Sequence, residues 1–346
     1  MSLQKLADWA PFHIDALGLV TIFGADEVNK SIGNLVHSWV SEYLPVLATF
    51  VIASNDIVKS VPGFVLYNIT DGILATDIAP WFTRWLQSYP LNYAATTITL
   101  KVDGRPMPLA YQAISIMLGI LATALLVIFT AIMRDGWGIA NSVSMIISVA
   151  VRQLMLHELR SSIDRAVDRV TAGEQPDKDV KVFLTLPDGR AVTIFGSRKM
   201  ITDIILTDPR PLHPRCYLAL RLIAWLTFGA HAISLGMSTL FSQILAVIVL
   251  LLGTFLAGRH VGDCEAFVGN RLRLEINLGD PDWTRAPAYA RLRLTETEEQ
   301  TMVNWNLFPQ RSNQIWWHKY RAKFSLKYQT PGEVMNDQIN VNADIA

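Results

Sequence analysis

Residues 216–257 read CYLALRLIAWLTFGAHAISLGMSTLFSQILAVIVLLLGTFLA, an almost wholly apolar run without an acidic residue. A helix that crosses a bilayer takes about 20 apolar residues, so this run is long enough for two. Its softer centre, Ser234 to Thr239, supplies a turn, and the pattern predicts helices over 217–234 and 239–257 that enter and leave on one side. A soluble helical hairpin of this length is expected to carry charge along an outer face. This one carries Arg221, one turn from its start and able to extend its head to the interface, and His231, deeper and beside Gly229.

Working outward, residues 111–133 (YQAISIMLGILATALLVIFTAIM) form a second uncharged run of spanning length. Ser115, Gly119 and Thr123 recur every four residues along one face. Small residues at that spacing let helix backbones approach closely, so they are read as a helix-packing or oligomer seam. Between the two runs, residues 139–160 place Asn141, Ser144, Ser148 and Arg152 in one polar stripe against a mainly apolar remainder. Such a helix suits the membrane surface. The alternative is an aqueous path shared between subunits, with Arg152 selecting anions and His231 contributing from its own helix.

Residues 34–54 (NLVHSWVSEYLPVLATFVIAS) are long enough to cross but contain His37, Glu42 and Pro45. They read either as a span with a hidden carboxylate, which is costly, or as an amphipathic helix. Residues 97–102 alternate before Asp103-Gly104, and 180–195 read as a hairpin around Pro187-Asp-Gly189. Further strands are expected near 271–276 and 290–294, and a helix from Thr295.

The fold class that follows is a mainly α integral membrane protein with three or four transmembrane helices and small β-hairpin elements outside the membrane. Residues 1–110 are placed outside the cytoplasm, apart from the possible span at 34–54. Residues 111–133 cross. Residues 134–215, with the amphipathic helix 139–160 and the hairpin 180–195, are cytoplasmic. Residues 216–257 form the membrane hairpin, and 258–346 are cytoplasmic again. The orientation follows the concentration of Lys and Arg in 134–215 and after 258, and it requires that 139–160 does not cross.

Half of the chain is hydrophobic (51%), 17% is charged and the formal net charge is zero, so no overall field argues for nucleic acid. The two cysteines, Cys216 and Cys264, make no paired motif. The amino-terminal thirty residues lack the pattern of a cleaved signal peptide. No phosphate-binding loop, nucleophile elbow or zinc-protease motif occurs, and no cofactor is implied. A weak candidate metal cluster is His260, Asp263, Cys264 and Glu265. Residues 316–328 (WWHKYRAKFSLKY) interleave aromatic and basic side chains, which suits an anionic lipid surface.

At residues 135–156 (DGWGIANSVSMIISVAVRQLML), 188–195 (DGRAVTIF) and 213–226 (HPRCYLALRLIAWL) the chain resembles a group of uncharacterised multi-pass membrane proteins of filamentous fungi. The resemblance covers about residues 111–265. It implies a eukaryotic membrane location and assigns no activity or site residue; the expected location is the plasma membrane or an endomembrane. The functional expectation is a non-enzymatic, self-associating membrane protein, a homo-oligomeric pore or a scaffold in the lipid bilayer. The alternative is a membrane-embedded enzyme or metal-binding protein centred on His231 or on His260–Glu265, in which His231, Arg221 and acidic groups converge.

Overall fold

The computed structural model describes residues 18, 24–103, 109–173, 178–259, 265–279 and 285–326. In chain order these form α1 (Ala25–Gly33), α2 (Phe50–Ala53), β1 (Val65–Asn68), β2 (Ile73–Ala75), α3 (Pro80–Ser88), β3 (Thr97–Val102), α4 (Leu109–Ile132) and α5 (Gly136–Thr171). They continue through β4 (Asp179–Thr185), β5 (Ala191–Ser197), α6 (Pro214–Met237), α7 (Leu240–Arg259), β6 (Glu265–Val268), β7 (Leu272–Asn277), α8 (Ala286–Arg291), α9 (Glu296–Asn304) and α10 (Gln314–Leu326).

Four helices, α4 to α7, are long and apolar enough to cross a membrane. They form two tight hairpins, α4–α5 and α6–α7. Pro214 starts α6 at a position where a missing N–H costs nothing. The two turns at the far end are tied together by Asp135. One of its oxygens caps α5 by accepting from the Gly138 N–H (2.9 Å), and the other accepts from the Thr239 N–H and hydroxyl (both 2.9 Å). The outward faces expose Leu109, Met117, Leu121, Leu226, Ile233 and Phe255, a continuous apolar surface of the kind that lipid covers.

Helix α5 departs from the expected amphipathic segment 139–160. It is one 36-residue helix, about 54 Å long at 1.5 Å per residue. Its apolar first half lies in the helical bundle, and its second half carries Leu159, Ile163 and Val167 into the core beneath the sheet.

The expected separate hairpins are instead one seven-stranded sheet, ordered β2-β1-β4-β5-β3-β7-β6. The β3–β5 pairing is parallel, Ile98 opposite Ile194, and the others are antiparallel. Val182 and Leu184 of β4 join the larger core with Trp81, Phe82 and Trp85 of α3, whereas Phe183 faces Tyr289, Phe308, Trp317 and Tyr320 of the carboxy-terminal helices. The sheet is therefore buried on both faces, which explains the nearly unbroken apolar run in β4. Strands from 1–110, 134–215 and 258–346, expected as separate regions, hydrogen-bond in this one sheet.

Residues 34–54 are neither a span nor an amphipathic helix. They run as turns, with left-handed backbone at Leu35 and Ala48, and end in the single turn α2. Residues 290–294, expected as a strand, instead finish α8 and turn toward α9, where Thr295 and Glu298 complete a capping box.

Candidate functional site: a buried loop stapled by arginines

Irregular backbone buried among apolar helices must find hydrogen-bond partners or pay several kcal/mol per orphaned group. Residues 34–60 find them in arginines. Arg160 donates through Nε to the Leu35 carbonyl (2.9 Å) and through Nη2 to that of Val36 (3.1 Å). Arg152 donates through Nη2 to the carbonyls of Glu42 (2.5 Å) and Leu44 (2.8 Å). Arg221 reaches those of Ala53 and Ser54 (3.4 Å each), and Arg84 those of Asp56 (2.6 Å) and Lys59 (2.8 Å). Gln153 donates to the Glu42 carbonyl, and Thr254 accepts from the Leu47 N–H at 2.9 Å. A planar guanidinium with several fixed donors suits this task better than an ammonium.

The loop also fixes where glycines occur on the helices. A Cβ on Gly119 of α4 would lie 2.6 Å from the Tyr43 carbonyl oxygen, and one on Gly253 of α7 would collide with that of Pro45. Ser115 is buried beside this contact, and the Thr123 hydroxyl bonds back to the Gly119 carbonyl. The small-residue face read as a helix-packing or oligomer seam is thus occupied, at Gly119, by the chain's own loop.

At the sheet end of the bundle the loop, α4, α5 and the β6–β7 turn surround an open cavity of about 360 Å³, lined by His37, Glu42, His157, Arg160 and Asp164 among others. The Glu42 carboxylate lies between the Arg160 guanidinium, an ion pair with both side chains buried, and the His37 ring, whose Nδ1 is 3.1 Å away. Burial works to raise the Glu42 carboxyl, but Arg160 and His37 outweigh it and hold it at about 2. Burial, assisted by Arg160, lowers the His37 imidazole below its ordinary 6.5. Asp164 receives the backbone N–H groups of Asn270 (2.9 Å) and Arg271 (3.0 Å), closing the β6–β7 turn over α5.

Of the polar stripe, Ser148 and Arg152 join His231 around a smaller inner cavity bounded by the loop. Asn141 and Ser144 are buried nearer the distal turns and do not line it. The stripe therefore faces the interior of this chain. Arg221 binds the α2 end of the loop, and among the described residues no acidic side chain lines the cavity around His231, so the described residues do not bring His231, Arg221 and acidic groups together there. His260, Asp263 and Cys264 lie outside the described residues, and Glu265 opens β6. Among the described residues no three His, Cys, Asp or Glu side chains form a group able to hold a metal ion.

The aromatic side chains of Trp316, Trp317 and Tyr320 are committed to internal packing. Trp316 stacks on Tyr320 at 5.3 Å, Trp317 and Tyr320 meet Phe308, and Arg311 lies 4.0 Å over the Trp317 ring. Lys319 and Arg321 remain exposed, and residues 327 and 328 lie outside the described residues.

The loop's role was missed in the sequence. The available signals were Pro45 and the arginines at 152 and 160, two turns apart on one helix face. Fold and site together define a class: a helical protein with four helices apolar enough for a membrane, a loop stapled between them, and one seven-stranded sheet at their base. Compared with known proteins, the chain matches no family model, no curated protein and no solved structure.

Proposed function

We propose that this chain is a non-enzymatic, multi-pass membrane scaffold. Both helical hairpins cross the bilayer, and all extramembrane structure except the two short turns lies on the cytoplasmic side. The observation that carries the reading is the loop. Non-helical backbone at membrane depth is tolerated where protein encloses it, and residues 34–54 fill the space between the helices of a single chain. Arg152, the one charged member of the polar stripe, is used in holding that loop, which favours the scaffold over the oligomeric pore. Arg134 is the one basic residue in the distal turns, 133–135 and 238–239, in a chain with 30 Lys and Arg, and this bias supports a cytoplasmic sheet domain. Self-association, if it accompanies the scaffold role, uses a surface other than Gly119.

Reconstitution into liposomes tests this reading. A scaffold gives cation and anion flux no faster than empty vesicles, whatever the protein density, with native mass measurement reporting its stoichiometry. Protein-dependent conductance would return the pore to first place.

A further inference from the structure

The open cavity of about 360 Å³ has the size of a small-molecule site, roughly 300–1,000 Å³, and the helices fix its depth. Counted from the distal helix ends at Ile132 and Gly136, Gln112 of α4 and His157 of α5 each lie about 30 Å along their helices. That is about the thickness of a hydrocarbon core, roughly 30 Å. Both side chains line the cavity. With both hairpins crossing the bilayer, the reading on which this inference rests, the cavity sits at the level of the inner-leaflet headgroups. Its membrane-side wall is Leu154, 52% exposed. From there Ile147 and Val143 continue one exposed apolar stripe along α5 toward the bilayer centre. Beside Gln112, Tyr111 meets Trp39 at 6.2 Å with both rings exposed, as suits a membrane–water boundary.

The polar lining is ordered by depth. On the sheet side, the Glu42 carboxylate is matched by Arg160 and His37. Asp164 has no such match: among the described residues no Lys or Arg pairs with it, and Arg271 turns its guanidinium to Asp168. Its bonds come from the N–H groups of Asn270 and Arg271 and, at 3.4 Å, from the Asn270 amide. A carboxylate has about four acceptor positions, and Oδ2, with one shared N–H and one long contact, keeps room for a donor. A partly buried charge calls for a partner of opposite sign. Nearer the bilayer, Gln112, His157 and Ser161 make no hydrogen bond among the described residues, and each can donate one.

Donors at the hydrocarbon boundary, with an unmatched carboxylate two turns further out, complement a zwitterionic headgroup whose phosphate adjoins the glycerol and whose ammonium lies beyond it. A primary ammonium brings three N–H donors to Asp164. A choline brings none and is held by aromatic cages, whereas Tyr43 is the single aromatic lining residue among the described ones. A headgroup without an amine would set a second negative charge beside Asp164. We infer that this cavity binds the headgroup of phosphatidylethanolamine, with phosphate at Gln112 and His157, ammonium at Asp164, and an acyl chain along the α5 stripe. The bound lipid joins the loop, α4, α5 and the β6–β7 turn.

The test is thermal unfolding of the delipidated full chain in detergent, titrated with lipids of identical chains. Phosphatidylethanolamine should raise Tm saturably, at about tenfold lower concentration than phosphatidylcholine or phosphatidylglycerol, the weight of one charge-assisted hydrogen bond. Stepwise N-methylation of the headgroup should weaken the effect progressively, which reads the Asp164 contact without altering the protein. Asp164 also closes the β6–β7 turn, so its replacement endangers folding, and Gln112→Leu and His157→Ala serve as the variants. Each should raise the half-saturating concentration several-fold. Equal responses to the three headgroups, or a phosphatidylethanolamine response unchanged in both variants, would overturn the site. Glycerophosphoethanolamine acting at the same concentration as the lipid would overturn the lipid as the source of the headgroup. Whether the hairpins cross is read separately, by thiol accessibility in intact cells, so failure of the site and failure of the membrane reading are distinguishable.

Discussion

At the scale of single residues, Glu42 and Arg160 form the junction on which the loop depends. Replacing Arg160 with Met leaves a buried carboxylate without its partner and two carbonyls without donors, and is expected to cost about 3–5 kcal/mol, read from denaturant unfolding in detergent. Arg160→Lys should recover only part of this, because one ammonium cannot reproduce the fork to Leu35, Val36 and Glu42. Glu42→Gln combined with Arg160→Met should lose less than Arg160→Met alone, since no bare charge remains.

The same cluster sets a pH dependence. His37 has a lowered pKa, so the unfolded chain binds its proton more readily; its contribution is complete above about pH 6.5 and declines below it. Glu42 has a depressed pKa, so its contribution is present above about 4.5 and is lost as pH falls toward about 2. Tm should therefore begin to fall below pH 6.5 and fall again below 4.5. His37→Gln should weaken the first decline and leave the second.

At the scale of elements, α4 and α7 are specified by the loop they touch as much as by their apolar faces. Gly119→Val and Gly253→Val place a side chain where backbone carbonyls already lie, and overpacking of this kind costs about 1–3 kcal/mol or more. The expected outcome is displacement of the loop, seen as faster hydrogen exchange over residues 40–50, while the helices stay intact by circular dichroism. Gly229→Val is the control, because nothing lies within 4 Å of the Cβ position there. The carboxy-terminal helices make a second case. Trp317→Ala removes a ring buried against Phe308 and should cost about 3–5 kcal/mol, with exchange accelerated across 286–326. A mutation that instead abolished binding to anionic vesicles without affecting exchange would return that helix to the lipid surface.

At the scale of the whole molecule, the single sheet requires that β1–β3, β4–β5 and β6–β7 share one compartment. In a background lacking Cys216 and Cys264, cysteines introduced at Lys59, Asp188 and Arg311 should all be protected from an impermeant thiol reagent in intact cells. Cysteines at Met133 and Gly136 should be labelled. Labelling at Lys59 alone would separate β1–β3 from the rest and contradict the sheet. Asp135, which joins the two distal turns, should tolerate Asn poorly, since an amide reproduces only part of its three accepted hydrogen bonds; a loss of about 1–2 kcal/mol is expected, as for other cap removals, measured as Tm in detergent.

Local composition was enough to reveal the apolar hairpin at 216–257, the run at 111–133, and the strands at 97–102 and 180–195, because length, hydropathy and two-residue alternation are properties of a contiguous stretch. The fate of residues 34–54 and of the polar stripe was not available in that way. A buried carbonyl looks the same in any sequence, and whether Arg152 meets water, lipid or the backbone of residues 42–44 depends on chain 110 residues away. The joining of three regions into one sheet was hidden for the same reason: the β3–β5 and β3–β7 pairings are set by long-range register, which only the folded chain brings about.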